Sequence, residues 1–388
     1  MKFASAISAL PDTDAAVTEV LRSLRDGGLS PDVAFVFLTG HHSAGAERLA
    51  EQLWLELDVQ CMVGCNAEGV LGNGLEIERQ PGLVVMTAQM PQVRLHPFHL
   101  SDDLDWRHVL TDDVELTERV GYGPLTRSII GFGDPFSTPI TPFLTALDTA
   151  CADAPLTGGM ASAGRRPGEN LLIRNDQVFD EGFVGVSLSG PLSVQTLVSQ
   201  GCRPVGKPMV VTRSQGNVIT QLGGRPALEA LRETVNAAGP QDESLLANGL
   251  FLGRAISEYR DTFGRGDFLV RNVIGIDDAE GTIAVADQFR TGQTVQFHVR
   301  DAATAGEDLS AMLASARGGP SPAGALLFSC NGRGSRLFKA AGHDIGLANQ
   351  ALPKTPVAGF FAAGEFGPVG GKNFIHGHTA SMAMFRPE

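Results

Sequence analysis

Apolar positions run along the chain in two rhythms, one helical and one of short unbroken runs. Val17, Val20, Leu21 and Leu24 recur at helical spacing and predict a helix over 13–26, closed by Gly27-Gly28. Val33–Leu38 is a continuous apolar run, which predicts a strand buried on both faces. Residues 43–57 return to the helical rhythm, and Cys61–Gly64 is a second short strand entering a glycine-rich turn. Gly74–Glu78 and Gly82–Met90 read as a hairpin. Further on, 205–222 alternates around Gly216-Asn217 and predicts strands joined by a turn. A helix is expected over 225–235, with Pro226 in its first turn. Residues 267–277 and 282–286 are strand-like, Val295, Phe297 and Val299 alternate on another strand, and 307–317 predicts a helix.

One unit recurs. The turn Gly64-Cys65-Asn66-Ala67-Glu68-Gly69 has the form G-x-x-A-x-G; Gly158–Ala163 gives G-x-x-A-x-A, and Gly359–Gly364 repeats the first form. Each follows an apolar run ending in glycine (35–40, 128–133, 326–332) and a helical segment. Each precedes a glycine that opens another apolar stretch: Gly82, Gly182 and Gly377. The expected fold is therefore α/β: two related domains with mixed β-sheets flanked by helices, built from repeated strand-helix-strand-turn-strand units.

Composition sharpens this picture at one point. The 388 residues include 47 glycines, an excess that the repeated turns absorb in part. The net charge of −13 argues against nucleic acid and against an anionic membrane surface as partners. No apolar run reaches the length of a membrane helix. Five cysteines without a CxxC pair read as reduced thiols of a cytoplasmic protein.

Candidate chemistry gathers at the glycine-rich turns 64–69, 158–164, 331–334 and 364–371, which would form one pocket wall if the repeats pack alike. Asn331-Gly332-Arg333-Gly334-Ser335 follows a strand and precedes a helical segment, so its backbone and Arg333 favour an anionic group such as a carboxylate. Gly334 would allow close approach. Glu68 or Glu365 would accept from an ammonium, and Asn66, Asn331 and Asn373 would fix orientation. Cys65, Ser162 and His376 complete the ligand-binding candidates. Walker A, G-x-S-x-G and HExxH motifs are absent, and neither a cofactor nor a metal is expected. The rival to a binding pocket is a thiol-dependent hydrolase or transferase, with Cys65 or Cys330 attacking and His376 or His378 as base. A second rival is a protein-interaction scaffold.

Taken together, Gly64–Val70, His96-Pro97-Phe98, 268–277, 296–301, 328–334 and 359–377 resemble the FIST family, which pairs an N-terminal with a C-terminal FIST domain. The resemblance covers nearly the whole chain and implies a FIST N-like domain over 1–210 and a FIST C-like domain over 211–388. It further implies a sensory module of intracellular signal transduction, with an amino acid or similar polar metabolite as ligand and a separate signalling protein as partner.

Overall fold

The computed structural model describes every residue except 26, 102, 240–244, 246–248, 260, 261, 265, 317 and 318, so the expected helix ends at 26 and 317 lie outside the described residues. The chain forms two units. The first comprises Met1–Val198, Leu309–Ile375 and Thr379–Glu388; the second comprises Ser199–Asp308 and His376–His378.

The first unit is one pattern used three times. Copy one runs β1 (Lys2–Ser8), α1 (Thr13–Arg25), β2 (Val33–Thr39), α2 (Ala46–Leu57), β3 (Cys61–Ala67), the hairpin strands β4 (Gly69–Gly72) and β5 (Leu75–Glu78), and β6 (Leu83–Gln89). Copy two runs β7 (Arg94–Leu100), α3 (Asp103–Thr111), α4 (Asp113–Val120), β8 (Thr126–Gly133), α5 (Ile140–Ala150), β9 (Leu156–Met160), β10 (Leu172–Arg174), β11 (Gln177–Phe179) and β12 (Phe183–Ser189). Copy three opens with β13 (Leu192–Gln200) and is then interrupted by the second unit. That insertion holds β14 (Cys202–Gln215), β15 (Val218–Leu222), β16 (Arg225–Pro226), α6 (Ala227–Asn236), β17 (Leu250–Ala255), β18 (Phe268–Asp277), β19 (Thr282–Val285) and β20 (Thr294–Arg300). Copy three resumes with α7 (Ala302–Ser315), β21 (Gly324–Cys330), α8 (His343–Ala351), β22 (Val357–Ala362), β23 (Glu365–Val369), β24 (Lys372–His376) and β25 (Thr379–Pro387).

Three six-stranded sheets result, all with one strand order: β1-β6-β2-β3-β10-β11, β7-β12-β8-β9-β23-β24 and β13-β25-β21-β22-β4-β5. In each, the two strands joined by a helix are parallel (β2 with β3, β8 with β9, β21 with β22), and the return strand lies antiparallel to the first of them. The hairpin of each copy docks on the sheet of another: β4 on β22, β10 on β3, β23 on β9. The stretches 74–78 and 82–90 are strands, as their patterns predict, but they do not form a hairpin with each other. β5 pairs with β4, and β6 pairs with β1 and β2, because the run of β6 is buried on both faces and needs the sheet centre.

Alternation decides which side chain goes where. Phe35 and Phe37 of β2, Ile130 and Phe132 of β8, and Leu326 and Phe328 of β21 turn inward into one shared core. There Phe37 meets Phe132, Phe328 and Phe360 at ring-centroid distances of 5.2, 6.2 and 5.0 Å. The opposite faces take the helices: α1 and α2 on the first sheet, α3 to α5 on the second, α7 and α8 on the third.

The first glycine of each repeated turn motif has one shared cause. Gly64, Gly158 and Gly359 pair across parallel strands with Val36, Gly131 and Leu327. A Cβ at these positions would stand 1.9, 1.8 and 1.7 Å from the partner residue's carbonyl oxygen. The obstacle is backbone within a sheet, which cannot step aside.

The second unit is an antiparallel sheet ordered β14-β20-β17-β18-β19-β15-β16. β14 turns into β15 at Gly216-Asn217, pairing Gln215 with Val218 as the alternation predicts. Leu228 and Leu231 of α6 pack with Val205, Leu252 and Phe297 in its core.

Gly64→Ala, Gly158→Ala and Gly359→Ala are each expected to destabilise the fold by about 3 kcal/mol or more, or to prevent folding. Gly346→Ala, on the open face of α8 with nothing near its Cβ position, is expected to stabilise by about 0.5–1 kcal/mol. Urea denaturation of the four variants checks both signs.

Candidate functional site: a cationic cleft at the strand ends

The parallel pairs end on the same side, and their C-terminal ends open into a cleft of about 710 Å³. Gly40 and His41 follow β2, Ala67 and Glu68 close β3, Ser162, Ala163, Gly164 and Arg165 follow β9, and Asn331 follows β21. Arg79, just after β5, and Arg336 complete the wall. Carboxyl ends of parallel strands are where open α/β sheets leave ligand crevices. Ser162 ties the turns together here. Its Oγ donates to the Phe361 carbonyl and accepts from the Glu68 N–H at 2.9 Å, while its own N–H donates to the Asn66 carbonyl at 3.3 Å.

The cleft's charges are mostly guanidinium groups. Arg336 grips Glu68 with both terminal nitrogens, Nη1 donating to Oε2 at 2.8 Å, and Nη1 also donates to the Asn331 carbonyl at 2.5 Å. These bonds to Glu68, outweighing partial burial, raise the Arg336 pKa further above its ordinary value. Arg79 stands with its Nε 3.7 Å from Glu68 Oε1 and donates from Nη2 to Ser335 Oγ at 3.3 Å. The Arg165 side chain is exposed and makes no ion pair or hydrogen bond among the described residues. The turn amides are taken internally: Gly164 N–H donates to Asn170 Oδ1 at 2.7 Å, and Arg165 N–H to Glu169 Oε2 at 2.7 Å.

Residues 32–225 match the family model of the FIST N domain, and residues 227–368 match that of the FIST C domain. The chain belongs to the FIST family. FIST domains are linked to sensing in signal transduction. An uncharacterized protein of Mycobacterium tuberculosis is 38% identical over 391 residues, covering 99% of this chain and 100% of the relative. An uncharacterized protein of Mycobacterium bovis is 37% identical over 390 residues, covering 99% of each. A solved cyanuric acid hydrolase of A. caulinodans overlaps the whole chain with a TM-score of 0.37 at 10% identity, covering 99% of its own chain, which is too loose to carry an argument. No described helix of this FIST protein is long and apolar enough to cross a membrane.

Of the residues singled out from sequence, Glu68, Ser162 and Asn331 line the cleft. The others support the FIST fold from within. Cys65 is fully buried in the three-sheet core, where burial pushes its thiol pKa well above the ordinary value, so it stays protonated. Asn66 is buried and fully engaged: Nδ2 donates to Ser43 Oγ (3.0 Å) and the Glu169 carbonyl (3.2 Å), and Oδ1 accepts from Leu171 N–H (2.8 Å). Asn373 stitches β24 to α5 and β9, with Oδ1 accepting from Leu156 N–H at 2.9 Å and Nδ2 donating to Asp148 at 2.8 Å. His376 ends β24 with its ring buried. His378 donates from Nε2 to Asn272 Oδ1 (2.8 Å) and packs its ring against Phe251. Among the described residues no group of His, Cys, Asp and Glu is placed to hold a metal ion.

Arg333 is the most informative placement. It does hold a carboxylate, but one of the chain's own: Nε and Nη2 grip Asp344 at 2.7 and 2.9 Å, fully buried, with the guanidinium over the Phe338 ring. Gly334 makes this possible. At φ +52 it reverses the chain, sending Arg333 inward and Arg336 outward, and a Cβ there would stand 2.6 Å from Glu78 Oε1. Burial alone would raise the pKa of Asp344, but the Arg333 charge and hydrogen bonds from Arg333, His343 and Ser329 hold it well below the usual carboxylate range. Glu365 is buried near this pair. Its Oε2 accepts from Thr379 Oγ1 at 2.6 Å, and the Cys330 thiol donates to its carboxyl. Since Asp344 already balances Arg333, burial dominates and pushes the Glu365 pKa up to about 8, despite the hydrogen bonds from Thr379.

The cleft residues outside the turns singled out from sequence are Gly40, His41, Arg79, Arg165 and Arg336. Arg336 had a usable signal, lying three residues from Arg333 in the same loop. Arg79 and Arg165 had none, because each is an ordinary surface arginine until β5 and the turn after β9 are brought beside β3.

Asp344→Asn, which leaves Arg333 as a buried uncompensated charge, is expected to destabilise by about 3–5 kcal/mol. Glu68→Gln, at a partly exposed pair, is expected to cost no more than about 1 kcal/mol. Denaturant titration of both variants separates these cases. Glu365 keeps its proton to about pH 8 when folded but releases it near roughly pH 4.3 when unfolded. The folded chain therefore binds more protons across that window, and stability falls as pH rises through it. Melting temperatures from pH 5 to 8 are expected to decline in the parent and to decline less steeply in Glu365→Gln, the remaining slope coming from Glu76, whose pKa burial pushes up to about 7.

Proposed function

We propose that this FIST protein is a small-molecule-binding sensory module, and that the cleft at the strand ends is where it recognises a polar metabolite through a carboxylate. The observation that carries this reading is the gathering of Arg79, Arg165 and Arg336 around a glycine- and alanine-lined wall in a protein of net charge −13. Guanidinium forks match carboxylates in geometry and charge, and small residues let a ligand lie close to backbone. Amino acids are the first ligand class to test. The buried, protonated Cys65 supports binding over thiol chemistry. Five free, buried cysteines fit a reducing cytoplasmic setting. The message would pass to a separate signalling protein.

Thermal-shift measurement of the full chain against single amino acids and small carboxylic acids tests the reading. A ligand at a hundredfold excess over its Kd adds about 2.7 kcal/mol, which raises the melting temperature by several degrees. If no carboxylate-bearing metabolite raises it at high millimolar concentration, the binding reading is lost.

A further inference from the structure

Resting on the binding reading above, we propose that the cleft is built for a metabolite carrying two carboxylates, and that it discriminates against neutral amino acids. Three observations lead there. The first is charge. Arg79, Arg165 and Arg336 line the cleft with Glu68 as the sole carboxylate lining it; Arg336 is held by Glu68 with Glu78 nearby, so the charges of Arg79 and Arg165 are the two a ligand can balance. A neutral amino acid, with no net charge, leaves both unanswered; a dicarboxylate answers both.

The second observation concerns the amine. An α-ammonium needs a carboxylate or an open carbonyl. Glu68 has both oxygens engaged by Arg336, with Arg79 beside it. The Asn331 carbonyl already accepts from Arg336. An ammonium seeking the remaining lone pairs would stand against the guanidinium groups of Arg336 and Arg79, whereas a carboxylate is attracted to them.

The third observation separates carboxylate from phosphate. Phosphate-binding turns present several unused backbone N–H groups at one point. Here the amides of Glu68, Ser162, Gly164, Arg165, Asn331 and Ser335 all donate within the protein. Anion recognition falls to side chains: the fork of Arg165, which makes no ion pair or hydrogen bond among the described residues, and the guanidinium of Arg79, whose Nε stands 3.7 Å from Glu68 Oε1. These stand on different turns, after β9 and after β5. Separate forks suit two spaced carboxylates better than one compact phosphate.

The test is calorimetric titration of the full chain with succinate, glutarate and L-glutamate, against L-alanine, L-leucine and inorganic phosphate. At least one dicarboxylate is expected to bind roughly tenfold or more tightly than alanine and leucine, and more weakly as salt is raised. Arg165→Gln, at an exposed side chain without an ion pair, is expected to keep the parent's melting temperature. It should lose roughly tenfold in affinity for the best dicarboxylate. The proposal is overturned if alanine or leucine binds as tightly as every dicarboxylate, if phosphate binds most tightly, or if Arg165→Gln binds the dicarboxylate unchanged. Binding of neutral amino acids alone would sink the two-carboxylate proposal and leave the broader binding reading standing. Binding of nothing in the panel would sink the two-carboxylate proposal, and the broader binding reading would then fall only with a negative thermal-shift screen.

Discussion

Each six-stranded sheet of the first unit is covered by helices on one face only, so its other face has to be buried against the two sister sheets. That requirement governs the rest of the unit. It turns Phe37, Phe132, Phe328 and Phe360 toward one another, and it places the hairpin of every copy on a neighbour's sheet instead of its own. No copy closes its own core, which is the usual condition of repeat architectures. Here the repeats form one shared core, and the second unit enters the third copy as an insertion between β13 and α7.

The cleft is a by-product of the same arrangement. Parallel pairs from three copies end on one side, and the turns leaving them are short of side-chain volume. What fills the opening is charge. Two buried or half-buried ion pairs organise it from different depths. Arg333 with Asp344 is sealed beneath, where loss of either partner strands a charge in low dielectric. Arg336 with Glu68 is at the surface, where water screens it and a ligand can rearrange it cheaply. Two arginines of one loop, three residues apart, thus divide between holding the fold and facing solvent.

Much of the fold was legible because its strongest signals are local. Helices α1 and α2 show their buried stripe in the order of Val17, Val20, Leu21 and Leu24, and of Leu49, Leu53 and Leu57. The recurring glycine at 64, 158 and 359 could be read as a repeat because a carbonyl less than 2 Å from its Cβ position forbids any other residue. The swapped hairpins could not be read, since a strand's sequence records that its faces are buried but not which strand lies beside it. β5 and β6 are neighbours in sequence and partners of different sheets. At the site, Glu68, Ser162 and Asn331 stood out through their turns. The choice between Arg333 and Arg336 depended on a positive φ at Gly334 and on Asp344, which sits on another element.

The exchanged hairpins also set a timetable for a chain emerging from the ribosome. The hairpin β4–β5 is made early, yet its sheet partner β22 begins only at Val357. Throughout the synthesis of copy two and of the whole inserted unit, the edge of β4 that β22 later covers presents unpaired backbone groups and the apolar pair Val70 and Leu71. Closing that contact requires a loop of about three quarters of the chain to be drawn in, an entropic barrier that sequence-local repeats avoid. The first unit is therefore built in a piece-by-piece order but locked only at the end, when the third copy supplies β23 and β24 to the second sheet and completes the third beside β4 and β5.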